Sequence, residues 1–555
     1  MKKIILSAAI ALVAFTACQN NSNTDQENET DSLAYDAITE EGFANYIETL
    51  SSDAFMGRKP FTKGDTLTVN YIKNEFENLG LKPGNGESYF QEVPLVEITS
   101  TPVESTLSFQ GKEGSIDAEF LDDYVVGSRQ LQEELDFPST ELVFVGFGIV
   151  APEYDWNDYE GLDVTGKTVV ALVSDPGKYD KDLFKADTMT YYGRWKYKYE
   201  EAARQGATGV LLIHETEAAS YGWDVVRNGW SGPQLDMVTS DKGSSYAGFE
   251  GWVTNDLAKS LFELGDVDFE ATIKEAKKPG FKAVPLNVKT SIKLQGSFRE
   301  STSNNVLGLI EGESRPDEYV IYTAHWDHLG IGTPIEGDSI FNGAIDNAAG
   351  VSALFEIAKA FNASTKKPER SVLFIALTAE EEGLLGSLYY TNNPIYPLEN
   401  TVANINMDAF NPIGATKDVT VMGIGQTELE DYLVQSADKF DREVRGDKNI
   451  SAGLFYRSDH FNFVKKGVPG LFMGSGSDYL HLKGDELKAK KEAFENRYHN
   501  VTDEFDEHWS LDGIVLDTQL FFDLGFTLSN ERTFPEFKEG SEFFELGKQR
   551  LNKRK

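Results

Sequence analysis

Two hydrophobic periods alternate along the chain. In "TVNYIKNEFENLGLKPG" the apolar residues Val69, Ile72, Phe76 and Leu79 recur at spacings of three and four. That spacing predicts an amphipathic helix stopped by Gly80, within a stretch that turns helical from about Ala34. The segments "TPVESTLSFQ" and "ELVFVGFGIV" instead alternate or run apolar, as strands do. Beyond Pro285 the pattern becomes regular. Short apolar runs, "NNVLGLIEG", "YVIYTAH", "SVLFIALTAEE", "TVANINMDAF" and "GVPGLFMGS", are separated by helical stretches such as "NAAGVSALFEIAKAFNAS". Strands alternating with helices predict an α/β fold with a mostly parallel central sheet and helices on both faces.

A different unit interrupts this order between residues 136 and 285. "DYEGLDVTGKTVVALVSDPG" reads as turn, strand, turn, and "KYEEAARQGATGVLLIHE" as a helix ending at Gly206 that feeds an apolar strand. Together they resemble a protease-associated (PA) domain, a smaller β-rich α/β insert. His214 ends that strand and, with no partner in any motif, reads as structural. The resulting division is 1–18 signal, 19–34 polar tether, 35–135 first part of the main domain, 136–285 insert, 286–535 second part, and 536–555 a charged tail.

Composition narrows the function classes. Lys and Arg total 52 against 90 Asp and Glu, a net charge of −38. So acidic a chain argues against nucleic acid or an anionic membrane face as a partner. "MKKIILSAAIALVAFTAC" has a basic start, an apolar run from Ile4 to Ala14 and small residues before a cysteine. It resembles a bacterial lipobox, with Phe15 where Leu is usual. The resemblance implies export and a lipid anchor on Cys18 in the bacterial cell envelope, with Gln19 in place of the Asp that favours inner-membrane retention. Cys18 is the only cysteine, so no internal disulfide can form.

The chemistry gathers where strands end. "YTAH" closes on His325, "FNGAIDNAAG" supplies Asp346 just before a helix, and "LFIALTAEEEG" ends in Glu380 and Glu381. "ANINMDAF" ends in Asp408, and "ENRYHNVTDEFDEHW" places His499 in a late loop. In open α/β sheets ligands bind at this edge. Two imidazoles with three or four carboxylates suit zinc, and a pair of ions requires a bridging carboxylate with terminal ligands on each side.

The order "HWD", "DNAAG", "AEEEGLLGS", "NMD", "YHNVTD" resembles the M28 family of co-catalytic zinc exopeptidases, over about residues 35–135 and 285–535. The resemblance implies a dizinc peptidase, most simply an aminopeptidase acting on a peptide or protein N-terminus. It makes His325 and Asp408 terminal ligands of one zinc, Glu381 and His499 those of the other, and Asp346 the bridge. Glu380 matches the general base that acts on a metal-activated water, and a cis peptide is implied between Asp346 and Asn347. Asp327, two residues from His325, can accept the other N–H of the ligand imidazole. Tyr498 matches a tyrosine that in some relatives donates to the developing oxyanion.

The remaining histidines compete with these. His328 falls one residue outside the "HxD" pattern, and His460 reads as a supporting or structural residue. His481 in "LHLKGD" is the rival of His499 for the late ligand, because "YHNVTD" is only partly echoed there. His508 carries no motif. Two further functions share the architecture: a glutaminyl-cyclase-like transferase with one zinc, and a non-catalytic transferrin-receptor-like module. Arg457, beside "SDH", leaves a carboxypeptidase open, since a guanidinium suits a substrate carboxylate. Oligomeric state is not legible.

Overall fold

A computed structural model describes residues 32–554; the signal sequence, Cys18 and the tether up to residue 31 lie outside the described residues. Two hydrophobic cores organise the chain. The first surrounds a sheet whose central strands, Arg370–Leu377, Arg315–His325, Thr401–Asn406 and Gly470–Ser475, are parallel neighbours in that order. Asp418–Val421 then adds antiparallel to Gly470–Ser475, and the end of Val284–Ile310 adds antiparallel to Arg370–Leu377.

Strand residues alternate between the two faces, and each face buries its own set. Val320, Tyr322 and Ala324 pack with Phe374 under the helices Glu40–Leu50, Ala349–Ala363 and Asp512–Asn530. Tyr319, Ile321, Leu373 and Ile375 pack on the opposite face with Tyr390 and Phe463, from the helices Leu385–Asn392 and His460–Val464. Helices therefore cover both faces of a mostly parallel sheet. The early amphipathic helix spans Lys63–Asn78, buries Val69, Ile72 and Phe76, and ends where Gly80 takes a φ of 76°.

The second core belongs to an inserted unit. Its sheet runs Glu134–Phe144, Lys167–Leu172, Gly209–Ile213 and Phe249–Val253, all parallel, and is closed by antiparallel Tyr124–Gly127. This core begins near residue 106, because Leu107, Phe109 and Ala118 pack in it with Leu286, Ile292 and Leu294. That is some thirty residues before the boundary at 136 read from the sequence: the turn-rich composition changes only later, whereas the packing partner changes at once. A 27-residue strand, Val284–Ile310, runs through both cores and pairs with Phe90–Pro102 between them.

The charged C-terminal segment is not a free tail. Phe544–Lys553 is a helix, and its Arg550 is buried and donates to the carbonyl oxygens of Leu398 and Thr401. A cation spent on buried carbonyls leaves no trace in composition. Among the described residues, no helix is long and apolar enough to cross a membrane.

Candidate metal centre

Because the central strands are parallel, their C-terminal ends share one edge of the sheet. His325 is the last residue of its strand and is 1% exposed. Its Nε2 lies 2.9 Å from Asp408 Oδ1 and 3.2 Å from Asp346 Oδ1. Its Nδ1 lies 3.1 Å from the main-chain oxygen of Asp327. On the other side, His499 Nε2 lies 3.2 Å from Asp346 Oδ2 and 3.0 Å from Glu381 Oε2. Asp346 thus turns one oxygen to each imidazole. The cluster holds two groups of potential ligands sharing Asp346: His325 with Asp408, and His328 with Glu381.

Each acid is aimed by a local device. Asp346 follows Gly343, which has a φ of 60°, and its peptide to Asn347 is cis. The backbone N–H groups of Ile345 and Asp346 donate to the carboxylate of Asp503, each at 3.1 Å. Asn347 donates to the Met407 carbonyl and accepts from Gly350 N–H, fixing the start of the following helix. Glu380 and Glu381 directly follow Ala379, where the chain leaves the strand Arg370–Leu377 with a φ of 52°. Asp408 has its second oxygen, Oδ2, occupied by the Ser458 hydroxyl, which accepts in turn from Asn406.

Two expectations change here. The carboxylate of Asp327 does not hold the imidazole of His325: its oxygens accept from the backbone N–H of Glu380, at 3.0 Å, and of Glu381, at 3.3 Å. The backbone oxygen of Asp327 takes the imidazole N–H instead. The strand ends at His325, so Asp327 lies in the loop beyond it, beside the residues that follow the neighbouring strand Arg370–Leu377. His328, outside the motif, lies inside the cluster, with Nδ1 2.7 Å from Glu381 Oε1. His481 and His508 are exposed and take no part in it. His460 is buried against Phe455 and Phe472 away from the acids. Tyr498 stacks on His499, centroids 4.0 Å apart at 15°, and is 70% exposed at the rim.

One residue without any sequence signal completes the site. Arg58 is fully buried, in a turn where Met56, Gly57 and Arg58 all have positive φ. Its guanidinium donates to the carbonyl oxygens of Leu50, Trp326, Asn342 and Gly343, tying the first segment of the chain to the loops that carry His325 and Asp346.

The electrostatics follow from burying so many acids together. Burial raises the Glu380 carboxyl well above the usual range; His325 opposes this, and Asp408, Glu381 and Asp459 add to it. Glu381 is also pushed up by burial and by Asp346, yet the imidazoles of His328 and His499 facing its two oxygens bring it to about 2. Burial would lower His499, but Asp346 and Glu381 raise it to about 10. The donors fit zinc. Ligand atoms at about 2.0–2.1 Å from a tetrahedral ion lie roughly 3.3 Å apart, close to the 2.9–3.2 Å edges around His325 and His499. His499 Nε2 is buried and makes no well-directed hydrogen bond, although two carboxylate oxygens face it, as expected of a nitrogen aimed at a shared cation.

Beside the cluster, a cavity of about 450 Å³ opens between the main sheet and the insert, with Glu380, Tyr498 and His499 on one wall and Arg194 on the other. Arg194 and Arg457 both line it, and among the described residues no carboxylate acts on either guanidinium. Burial first, then the neighbouring Arg457, lowers the Arg194 guanidinium to about 10.

Residues 305–522 match the family model described as Peptidase family M28. The chain is 29% identical to Aminopeptidase NAALADL1 of Mus musculus over 250 residues, 41% of this chain and 31% of that protein. It is 28% identical to the Glutamate carboxypeptidase 2 homolog of Caenorhabditis elegans over 199 residues, 34% of this chain and 24% of that protein. The chain thus spans about a third of the length of these curated relatives or less. The solved structure of an aminopeptidase from Aneurinibacillus sp. strain AM-1 superposes with a TM-score of 0.50 at 18% identity, covering 91% of this chain and 97% of that one, a likeness of fold.

Proposed function

We propose that the chain, whose residues 305–522 match the model described as Peptidase family M28, is a zinc metallo-exopeptidase, first of all an aminopeptidase, with a pair of zinc ions. The observation that carries this reading is Asp346, which presents one oxygen to His325 and the other to His499. In the proposed assignment His325 and Asp408 hold one ion, Glu381 and His499 the other, and Asp346 both. When bound, such ions polarise a carbonyl and make water a nucleophile near neutral pH.

The chain's own residues supply the rest. The Glu380 carboxylate, whose proton affinity burial raises, takes the proton of the attacking water and passes it to the nitrogen of the leaving amine as the C–N bond breaks. Asp327 fixes the backbone of Glu380, so the base cannot drift from the reacting atoms. In this reading Tyr498, stacked on His499 at the rim, donates its hydroxyl to the carbonyl oxygen as charge develops there. The insert, which we read as a PA domain, closes the second wall of the cavity and limits what reaches the centre. The lipid anchor on Cys18 belongs to the same proposal: Cys18→Ser should move the protein from the membrane fraction to the soluble one.

One observation favours a second reading. Arg194 and Arg457 offer two guanidinium groups with no acidic partner, the arrangement that holds a carboxylate, and a substrate C-terminus carries one. The test compares a dipeptide, its N-acetyl form and its C-terminal amide on purified protein, with zinc counted per chain. Aminopeptidase action predicts that acetylation abolishes hydrolysis and amidation does not. The reverse result would establish the carboxypeptidase, and one zinc per chain would sink the paired-ion assignment.

A further inference from the structure

The ligand assignment leaves one buried imidazole over. His328 is 1% exposed, and its ring is packed so tightly that a Cβ on Gly343 would lie 2.6 Å from its Cγ. Its Nδ1 is 2.7 Å from Glu381 Oε1, whereas the other oxygen of Glu381, Oε2, faces His499 at 3.0 Å. Its Nε2 is buried with no partner among the described residues. The two ends of the metal cluster are therefore built alike. Asp408 gives Oδ1 to the His325 side and has Oδ2 taken by Ser458. Glu381 gives Oε2 to the His499 side and has Oε1 taken by His328.

We propose that His328 is a positioning residue: its Nδ1–H donates to Oε1 of Glu381 and leaves that glutamate only Oε2 for the metal. The inference rests on the metal-centre reading above. A carboxylate with both oxygens free can close on an ion in bidentate fashion and fill the position that a catalytic zinc keeps open. A donor on one oxygen prevents this and fixes the direction of the other. Asp327 and His328 then act on Glu381 from adjacent positions in the chain, one through its backbone N–H and one through its side chain.

The experiment titrates zinc from the purified full-length protein with a chelating dye, for wild type, His328→Ala and His328→Asn, with circular dichroism and thermal melting checking the fold. Asn carries a side-chain N–H donor close to where Nδ1 sits. The expected result is that His328→Ala keeps its fold and one tightly held zinc while the second is released 10–100-fold more readily. His328→Asn should recover most of that loss. Unchanged release of both ions from a folded His328→Ala would reduce His328 to packing and overturn the proposal. Loss of one zinc outright in both variants would make it a ligand, which also overturns it. A wild type that binds no zinc would instead bring down the metal-centre reading, and this inference with it.

Discussion

Two parallel strands of this molecule each deliver a histidine at their C-terminal end, one in each core, and the two histidines have different fates. Arg315–His325 delivers His325 to the edge of the main sheet, and Gly209–Ile213 delivers His214 to the same kind of edge in the insert. His214 Nε2 sits 3.1 Å from the carbonyl oxygen of Tyr221, and its ring packs against Trp223 and Trp252. Two acids near that edge are already committed: Asp175 accepts from Gly177 N–H and from both the N–H and the hydroxyl of Thr190, and Glu215, the residue after His214, accepts from the Tyr179 hydroxyl. In the main sheet, Asp346, Glu381 and Asp408 each keep at least one oxygen turned to an imidazole. A strand edge gathers side chains by geometry alone. What makes a site is carboxylate oxygen that the backbone has not used. The same criterion sorts the acids within the main site, where Asp327 and Asp503 spend their oxygens on N–H groups and hold the loops.

The comparison breaks first at Glu381. Glu381→Ala and His499→Ala each remove a donor from the cluster, so each should lose zinc and with it essentially all peptide hydrolysis. His481→Ala, on an exposed loop, should keep both. Zinc per chain measured beside turnover decides the assignment: loss of metal from His481→Ala with retention in His499→Ala would move the late ligand. Glu380→Gln comes next in size. It keeps the shape and removes the basic oxygen, so zinc should stay while kcat falls about 10²–10⁴-fold, roughly 3–5 kcal/mol of barrier. If Glu380→Gln sheds zinc and Glu381→Ala does not, the two roles are exchanged.

Much of this site was legible because its residues lie at the ends of short apolar runs in a recognisable order. His325, Asp346, Glu380, Glu381, Asp408 and His499 are each marked by the strand before them or by close neighbours in the chain. The groups that aim them are not. Arg58 reaches loops 268 to 285 residues away, through a turn of positive φ that nothing in "FMGRKP" announces. Asp503 lies in the quoted "YHNVTD", yet its grip on Asp346 spans 157 residues. The contact of His328 with Glu381 depends on how two strand ends lie side by side, which spacing along one strand does not encode. The insert's early boundary escaped for a related reason. Strands such as Thr106–Gln110 look alike whichever core they join, and only their pairing with residues 289 and 290 assigns them.

His460 sharpens the comparison from another direction, as a histidine buried without acids. Burial holds its imidazole down at about 3 against an ordinary 6.5. Below pH 6.5 the unfolded chain therefore takes up a proton that the folded chain refuses. Stability from this group is complete above 6.5 and falls as pH drops toward 3, by roughly 3 kcal/mol between pH 6.5 and 4. In His460→Leu that part of the acid-side loss should vanish, even if repacking costs about 1–2 kcal/mol at neutral pH. Urea midpoints at pH 7 and pH 4.5 measure it. Equal pH slopes in wild type and variant would mean that the ring is protonated inside the fold.

The smallest effect is the one that tests the contrast most directly. His214 holds the position in the insert that His325 holds in the main sheet, so His214→Ala asks whether position alone matters. The substitution removes one hydrogen bond to a carbonyl and a ring wedged between tryptophans, a loss of about 1–2 kcal/mol, typical of a buried truncation. Zinc per chain should not change, and kcat/KM should stay within about twofold, because His214 belongs to neither candidate ligand group among the described residues. His214→Phe, which restores the ring without the nitrogen, should return about half of the stability. Loss of zinc in His214→Ala would show that the two cores share the metal centre, and that free carboxylate oxygen is not what separates a binding edge from a structural one.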